Sequence, residues 1–281
     1  MNVLITGSKG MLAQDVMRVL AGRYDIIAAT HADLDIGNKD QTADFLCARK
    51  PAVVMNCAAY TSVDGCETNS ARAFSANADG VKNLAHACQQ AGIKLFHIST
   101  DYVFDGAKEG PYNEDDPPNP LSVYGQSKLA GEQYIQELLS SYVIIRTEWL
   151  YGSQGSHFVG KILQLARERG GLQVVNDQMG SPTWTEDLAH AIEALLQIPS
   201  QGIYHITNSG SCTWYDFART ILAYAGSSVR VEPLDSVRLA RPAKRPRNSV
   251  LDCAKFVRET GHILRPWERA LDEYMKGQPG R

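Results

Sequence analysis

The sequence predicts an α/β protein with a doubly wound parallel sheet and a smaller, interleaved C-terminal domain. Short apolar runs rich in β-branched residues alternate with amphipathic segments of helical length, which is typical of βαβ units. The apolar runs are nearly continuous, so the strands are expected to be buried on both faces by flanking helices. After about residue 150 glycine and polar stretches become frequent and the alternation fades. We therefore expect residues 1–150 to form the main domain and residues 151–281 to form mainly the second domain, interleaved with late elements of the first.

The individual elements follow from these two periodicities. The expected strands are residues 2–6, 24–29, 52–58, 94–100, 141–147 and 172–177. The expected helices are residues 11–21, 39–50, 70–92 and 124–139. Each helical segment carries apolar residues three or four positions apart, which places them on one face.

Composition excludes several classes of protein. The net charge of −3 gives no general attraction to nucleic acid or to acidic membranes, although residues 238–247 are strongly basic. The six cysteines show neither C-x-x-C nor zinc-ligand spacing, so free thiols and no metal site are expected. The N-terminal residues are not expected to form a signal peptide, and no apolar segment approaches about 20 residues. A cytoplasmic protein without nucleic-acid or membrane partners is the expectation.

A glycine-rich turn joins the first predicted strand to the first predicted helix. Gly7 and Gly10 permit a tight turn and close approach of a ligand to the backbone, and Ala13 is small enough for close packing. The helix beginning at Met11 and Leu12 points its N-terminal N–H groups at a pyrophosphate. The position of the turn favours a dinucleotide site of the Rossmann type over a plain glycine turn.

The second predicted strand leads to Asp35 and Ile36. They can bracket an adenine, with the carboxylate accepting from the exocyclic amine and the isoleucine packing on the ring. The alternative is that Asp35 caps the next helix, and the sequence leaves both open. No acidic residue stands at the strand end itself, so the cofactor is NADPH or NADH, with NADPH favoured by the nearby Lys9.

Small residues follow the third predicted strand. Ala58 and Ala59 allow a dinucleotide to lie flat against the strand end, where larger side chains would collide with it. Tyr60, directly after them, is also expected to contact the cofactor.

Tyr124 and Lys128 lie one helical turn apart, where a proline-rich loop becomes a helix. A nearby ammonium lowers the pKa of a phenol, which makes the phenol a usable proton donor near neutral pH. The alternative is a partly exposed aromatic beside a solvated charge, and the spacing alone is weak evidence. Thr100 ends the fourth strand at the edge where open α/β sheets bind ligands, and its hydroxyl can share a substrate carbonyl oxygen with Tyr124.

Longer motifs decide between these interpretations. They are GSKG, VVMNCAAYTSVDGCE, STDYVFDG, YGQSKLAGEQ, RTEWLYG, NDQMGSPTWTEDLA, GIYHITNSG and RPRNSVLD. On these motifs, which run from residue 3 to about residue 252, the chain resembles the extended short-chain dehydrogenase/reductases. Within that group it is similar to the dTDP-4-dehydrorhamnose reductases, and STDYVFDG with RTEWLYG is specific to this subgroup. The chain departs from the family at Ala13, which replaces a glycine, and at Glu148, which replaces a serine.

The resemblance implies roles for single residues. Tyr124, Lys128 and Thr100 are the implied catalytic residues: Tyr124 protonates the developing alkoxide, Lys128 holds the nicotinamide ribose, and Thr100 binds the carbonyl oxygen. Asn77 is implied to position the cofactor and a loop of the active site. Dehydratase relatives carry an acidic pair after the position of Thr100, where this chain has only one acid, so elimination chemistry is not expected.

Further residues are expected to bind the substrate. The resemblance implies that Asp101, Tyr102 and Trp149 contact the sugar, although Trp149 can also be a core aromatic at a strand end. Arg245, in the basic run, is expected to bind the substrate diphosphate, and the alternative is a solvated loop.

The implied activity is the NAD(P)H-dependent reduction of the C4 ketone of dTDP-4-dehydro-L-rhamnose to dTDP-L-rhamnose, for cell-surface polysaccharide. The alternatives are a reductase or epimerase of another nucleotide sugar and a non-catalytic regulatory subunit that binds the cofactor. The sequence decides neither the oligomeric state, for which a homodimer is considered, nor a requirement for magnesium.

Overall fold

The computed structural model describes residues 1–277, so the last four residues of the expected second domain lie outside the described part. The strands are β1 (Asn2–Thr6), β2 (Asp25–Ala29), β3 (Val53–Asn56), β4 (Lys94–Thr100), β5 (Tyr142–Thr147), β6 (Leu150–Tyr151), β7 (Gly171–Val175), β8 (Met179–Gly180), β9 (Thr183–Trp184), β10 (Gly202–His205), β11 (Cys212–Thr213) and β12 (Arg230–Leu234). The helices are α1 (Met11–Leu20), α2 (Lys39–Arg49), α3 (Val63–Thr68), α4 (Ser70–Phe74), α5 (Gly80–Ala91), α6 (Val123–Leu138), α7 (Phe158–Glu168), α8 (Thr185–Leu196), α9 (Trp214–Tyr224), α10 (Ser236–Leu239), α11 (Ala254–Thr260) and α12 (Trp267–Lys276).

The central sheet confirms the predicted α/β class. It has six strands in the order β2-β1-β3-β4-β5-β10, and every neighbouring pair is parallel. From β1 the chain adds β2 on one side, and then β3, β4 and β5 on the other side. The direction in which strands are added therefore reverses between β1 and β3. A crevice therefore opens at the carboxyl ends of these two strands, the usual ligand site of an open α/β sheet.

The sixth strand expected from sequence belongs to another sheet. Five predicted strands coincide with β1 to β5 to within two residues at either end. The sixth, residues 172–177, corresponds to β7, which pairs with β12 in a separate two-stranded sheet. Its burial alternates along the strand, as in a sheet with one solvated face, whereas the central strands β1 and β3 are almost continuously buried. The sixth strand of the central sheet is instead β10, which pairs with β5.

Two apolar layers cover the central sheet. On one face, side chains of α1 and α8 pack on the sheet, among them Val16, Leu188 and Ile192. On the other face, residues of α2, α5 and α6 form the second layer. A third cluster contains aromatic residues from the C-terminal half, including Tyr151, Phe217 and Trp267. The chain therefore leaves the sheet after β5, returns to it as α8 and β10, and leaves it again.

The helix expected over residues 70–92 is interrupted. It consists of α4, a π-helical turn at Ser75–Asp79 and α5. The π-helical turn contains Asn77, whose side chain is fully buried. Wider turns of this kind are frequent at functional sites, because they redirect a side chain within a helix.

Candidate active site

The glycine-rich turn between β1 and α1 lies directly against the end of β3. Gly7 has a φ of +62°, and a Cβ atom added to it would lie 2.8 Å from both Cα and N of Ala58. Gly10 is the N-cap of α1 and offers no side-chain cap, and the first turn of α1 holds no acidic residue. Met11 and Leu12 follow in that first turn, so the N–H groups at the start of α1 are available to an anion. The turn thus forms a cradle with room for backbone and ligand but not for a side chain.

Hydrogen bonds fix the segment that follows β3. The amide oxygen of Asn56 accepts from the Thr6 hydroxyl at 2.7 Å and from the Ala58 backbone N–H at 3.2 Å. Asn77 binds Tyr60 on both sides, accepting from its N–H at 2.8 Å and donating to its carbonyl at 3.0 Å. The floor formed by Ala58, Ala59 and Tyr60 is therefore held rigidly at the crevice.

Asp35 and Ile36 are placed differently from each other. Asp35 is half exposed, and its carboxylate accepts from the Gly37 N–H at 2.9 Å. Ile36 is buried and packs against Gly80 in the second apolar layer. The cap of α2 is Asn38, which accepts from the Gln41 N–H at 3.0 Å, so the alternative in which Asp35 caps the helix is wrong.

Thr100 ends β4 and caps the short 3-10 turn Asp101–Val103. Its hydroxyl donates to Asp101 at 2.9 Å and accepts from the Tyr102 N–H at 3.2 Å. Tyr102 lies edge-on to Tyr124, with 5.5 Å between the ring centroids. The predicted catalytic and sugar-binding residues of this turn and of α6 are therefore neighbours in space.

Helix α6 approaches this turn closely. A Cβ atom on Gly125 would lie 2.2 Å from the carbonyl oxygen of Tyr102, so only glycine permits this contact. Ser122 caps the helix by accepting from the Gly125 N–H at 3.2 Å. This close approach places Tyr124 next to Thr100. A larger distance between the helix and the turn would separate the two side chains.

The local environment of Tyr124 differs from the sequence expectation. Burial raises the pKa of Tyr124 above its ordinary value, and hydrogen bonding to Thr100 acts in the opposite direction. The expected lowering by Lys128 is not seen, because the Lys128 amine is turned to the sheet. Its Nζ atom donates to the Ile98 carbonyl at 2.6 Å and lies 3.2 Å from Nε2 of His97. Burial lowers the pKa of Lys128 to about 8.

A buried ion pair anchors the same face of α6. Glu132 lies one turn beyond Lys128 and binds the Arg146 guanidinium at 2.6 Å. Glu132 also accepts from the Ser99 hydroxyl at 2.5 Å. Because Ser99 precedes Thr100 on β4 and Arg146 lies on β5, this pair fixes α6 against both strands.

Trp149, which is expected to contact the sugar, lies partly buried in a second group of side chains. Trp149 has a φ of +50° and stacks on Trp214, with ring centroids 3.5 Å apart and planes inclined by 9°. Its neighbour Glu148 accepts from the Ser249 hydroxyl at 2.8 Å. Burial, followed by the charge of Asp101, raises the pKa of Glu148 well above its usual range, and burial raises that of Asp101 to about 7. The charge of Asp101 thus adds to burial in disfavouring the ionised form of Glu148.

A cavity of about 690 Å³ opens beside Tyr102 and extends into the C-terminal half of the chain. Basic and aromatic side chains line it, including those of Phe158, Lys161, Trp214, Arg241, Lys244 and Arg245. Arg245 is mostly buried and binds Asp64 at 3.1 Å and the Ala243 carbonyl at 2.9 Å. Sequence reasoning found the basic run but missed Phe158, Lys161 and Trp214, since no motif marks a contact between residues so far apart in the chain.

Among residues 1–277, no group of three or more His, Cys, Asp or Glu side chains is placed to hold a metal ion. None of the helices within these residues combines the length and the apolar character needed to cross a lipid bilayer.

Comparison with known proteins identifies the family. The family described as RmlD substrate binding domain matches residues 1–278. The chain belongs to this family. It is 41% identical to a dTDP-4-dehydrorhamnose reductase of Streptomyces griseus, over 99% of this chain and 94% of that protein.

Two further similar proteins are a reductase named for another sugar and a solved structure. A dTDP-4-keto-6-deoxy-D-glucose reductase of Streptomyces niveus is 39% identical, over 96% of this chain and 95% of that protein. Among solved structures, the dTDP-4-dehydrorhamnose reductase of Bacillus anthracis in complex with NADP superposes with a TM-score of 0.95. It is 39% identical, and the match covers 99% of each chain.

Proposed function

We propose that this chain reduces the C4 ketone of dTDP-4-dehydro-L-rhamnose to dTDP-L-rhamnose, with NADPH or NADH, in the biosynthesis of cell-surface polysaccharide. One observation carries the proposal: Thr100 and Tyr124 lie together at the carboxyl edge of the sheet, beside Tyr102, which lines the basic cavity. Lys128 follows one turn later on the same helix. A dinucleotide in the β1–β3 crevice and a nucleotide sugar in the cavity can therefore meet near Thr100 and Tyr124. The names of the relatives and the NADP bound to the Bacillus anthracis structure support the choice of reaction and cofactor.

The cradle at Gly7 and the start of α1 fit a dinucleotide pyrophosphate, because they offer N–H groups and exclude side chains. When bound, the reduced nicotinamide supplies the hydride to the sugar carbonyl. Thr100 and Tyr124 hydrogen-bond the carbonyl oxygen, and Tyr124 gives it a proton as the negative charge develops. Lys128 holds the ribose hydroxyls, and the half-exposed Asp35 accepts from the adenine amine. The sequence predicts that Ile36 packs on the adenine ring, but its side chain is buried against Gly80, so the adenine contact is proposed for Asp35 alone.

The cavity is the proposed substrate site. Its arginines and lysines face a diphosphate that carries about two negative charges. Trp149, stacked on Trp214, forms a rigid wall at the sugar, and Asp101 and Tyr102 complete the site. Residues 1–150 then bind mainly the dinucleotide and residues 151–281 mainly the sugar nucleotide. Location in the cytoplasm and a homodimer stay predictions, and light scattering would measure the latter.

The activity is tested by supplying dTDP-4-dehydro-L-rhamnose with NADPH or NADH and following the absorbance of the reduced nicotinamide. The parallel assay uses dTDP-4-keto-6-deoxy-D-glucose, because a 39% identical relative is named for that sugar. Turnover of the first substrate supports the proposal, and preference for the second would move the chain to the other specificity. Cofactor binding without turnover of either sugar would favour a regulatory subunit.

Replacing Gly7 with alanine is expected to raise the Kd for NADPH about tenfold or more, roughly 1.4 kcal/mol. The added Cβ would meet the Ala58 backbone at 2.8 Å and push the turn away from the end of β3. Gly22→Ala is the matched control, since Gly22 has a φ of +80° but nothing within 4 Å of an added Cβ. Both variants place alanine at a positive φ, but only Gly7→Ala brings its Cβ against the Ala58 backbone, so fluorescence titration with NADPH compares a strained turn with and without this clash. Equal affinity in the two variants would contradict the cradle.

Replacing Arg245 with alanine is expected to raise the KM for the dTDP-sugar about tenfold, roughly 1.4 kcal/mol, with little change in the Kd for NADPH. The guanidinium lines the cavity, where it can contact the diphosphate. Arg247→Ala is the control, because Arg247 belongs to the same basic run but is exposed and is not among the cavity residues. If both variants keep the normal KM, the diphosphate is held elsewhere.

A further inference from the structure

Four buried side chains connect the end of β1 to the amine of Lys128. The Thr6 hydroxyl donates to the amide oxygen of Asn56 at 2.7 Å. The Asn56 amide nitrogen lies 2.9 Å from Nδ1 of His97, and Nε2 of His97 lies 3.2 Å from Nζ of Lys128. This line of contacts thus runs across β1, β3 and β4 to α6. Thr6, Asn56 and His97 have no role in the proposed reaction.

The orientation of Asn56 determines where His97 carries its proton. The Ala58 backbone N–H lies 3.2 Å from the Asn56 side-chain oxygen, and a backbone N–H can only donate. The Asn56 amide nitrogen must therefore face His97, where it donates to Nδ1. A neutral imidazole that accepts at Nδ1 carries its proton at Nε2. Burial lowers the pKa of His97 well below its ordinary value, so the ring is neutral.

The proton on Nε2 points at Lys128. An ammonium has three donors and no acceptor, so it cannot accept a hydrogen bond from the His97 N–H, whereas a neutral amine can. The Ile98 carbonyl accepts from Nζ in either state. The contacts around Nζ therefore favour the amine over the ammonium.

Other titratable groups near Lys128 modify this preference. Glu132, on the same helix, raises the pKa of Lys128, but its carboxylate is already shared with Arg146 of β5. Cys57, after β3, has its own pKa raised to about 12 by burial and is a neutral thiol. Tyr124, one turn earlier on α6, is also neutral, because burial raises its pKa. Burial outweighs Glu132 and leaves the Lys128 pKa at about 8.

We propose that Asn56 and His97 are positioning residues that hold Lys128 ready to take up a proton from solvent when the dinucleotide binds. The inference rests on the proposed role of Lys128 at the nicotinamide ribose. Ribose hydroxyl oxygens offer acceptors, so the amine turns from the His97 N–H to the ribose and is stabilised as an ammonium. The proton comes from water or buffer, and at most one enters per bound cofactor.

Calorimetric titration of the enzyme with NADPH, in buffers that differ in ionisation enthalpy, measures this proton. At pH 8.5 about half a proton or more is expected to enter per site, whereas at pH 6.5 Lys128 is already charged and should take up almost none. The 2′-phosphate, with a pKa of about 6, is fully ionised at the higher pH and does not contribute. Binding of NADPH without proton uptake at pH 8.5 would overturn this inference and leave the proposed function standing. Absence of binding of both NADPH and NADH would overturn the proposed function together with it.

Two variants separate this role from simple packing. Asn56→Asp keeps an acceptor for the Ala58 N–H. The new carboxylate also accepts from Nδ1 of His97, so the proton of the ring moves to Nδ1. Nε2 then becomes an acceptor for the Lys128 ammonium. His97→Asn keeps a partner for Asn56 and removes the ring nitrogen that faces Lys128. Both variants are expected to bind NADPH with less than half of the wild-type proton uptake at pH 8.5. Wild-type uptake in either folded variant would overturn the role of the pair.

Discussion

Replacing Tyr124 with phenylalanine is expected to lower kcat by about 100-fold or more while the Kd for NADPH stays nearly unchanged. The phenol is the group beside Thr100 that can give a proton to the alkoxide, and its buried position keeps bulk water from replacing it. Because burial raises the pKa of Tyr124, the hydroxyl stays protonated through the neutral range and acts as an acid. Steady-state assays with the dTDP-sugar and fluorescence titration with NADPH measure the two quantities.

Tyr134→Phe serves as the matched control for this prediction. Tyr134 lies on the same helix, with the Lys82 ammonium 4.6 Å from the centre of its ring, and has no place in the proposed site. Removing the Tyr134 hydroxyl should leave kcat unchanged. Near-normal turnover by a folded Tyr124→Phe protein would remove Tyr124 from the mechanism.

Replacing Lys128 with methionine is expected to lower kcat/KM for NADPH by about 100-fold, roughly 2.7 kcal/mol, the size of a lost charged hydrogen bond. The pH dependence should change as well. In the free wild-type enzyme the Lys128 pKa of about 8 means that the ammonium is present below this pH and lost above it. We therefore expect the wild-type kcat/KM to fall above about pH 8 and the variant to lack this decline. An identical alkaline decline in both proteins would assign it to another group.

The same substitution should stabilise the fold. Burial lowers the Lys128 pKa from 10.5 to about 8, which means that folding disfavours the charged form. At pH 7 this costs up to about 3 kcal/mol, and the cost disappears as the pH rises from 8 towards the unfolded value of 10.5. Urea unfolding at pH 7 and pH 10 should show Lys128→Met more stable than the wild type at the lower pH and closer to it at the higher. A variant that is less stable at pH 7 would show that the contacts of the amine outweigh its desolvation.

Local patterns in the sequence were sufficient for most of the sheet. The strands β1 and β3 are short, mainly apolar runs, so their burial on both faces follows from composition. The sheet to which β7 belongs could not be inferred, because an apolar run does not specify its partner strand. For the same reason β10, a short strand after a loop, was recognised only as part of a motif.

The candidate site divides in the same way. Tyr124 and Lys128 are visible because helical spacing places them on one face, and Gly7 because it stands in a turn. The contacts that set their chemistry are long-range: Asn56 binds His97, 41 positions away, and Trp149 stacks on Trp214. Burial of the Lys128 amine against the sheet, and its effect on the pKa, depend on this packing and have no counterpart in the local sequence.

The late return of the chain to the central sheet has a consequence for biosynthesis. Strand β10 ends at His205, and α8, which covers α1, precedes it by only a few residues. Until this region has left the ribosome, the outer edge of β5 has no partner and an apolar face of α1 is uncovered. Unpaired edges and exposed apolar faces promote aggregation of nascent chains. A chain shortened to its first 180 residues should therefore collect in inclusion bodies rather than yield a smaller folded protein, and chaperones that bind incomplete chains should engage it.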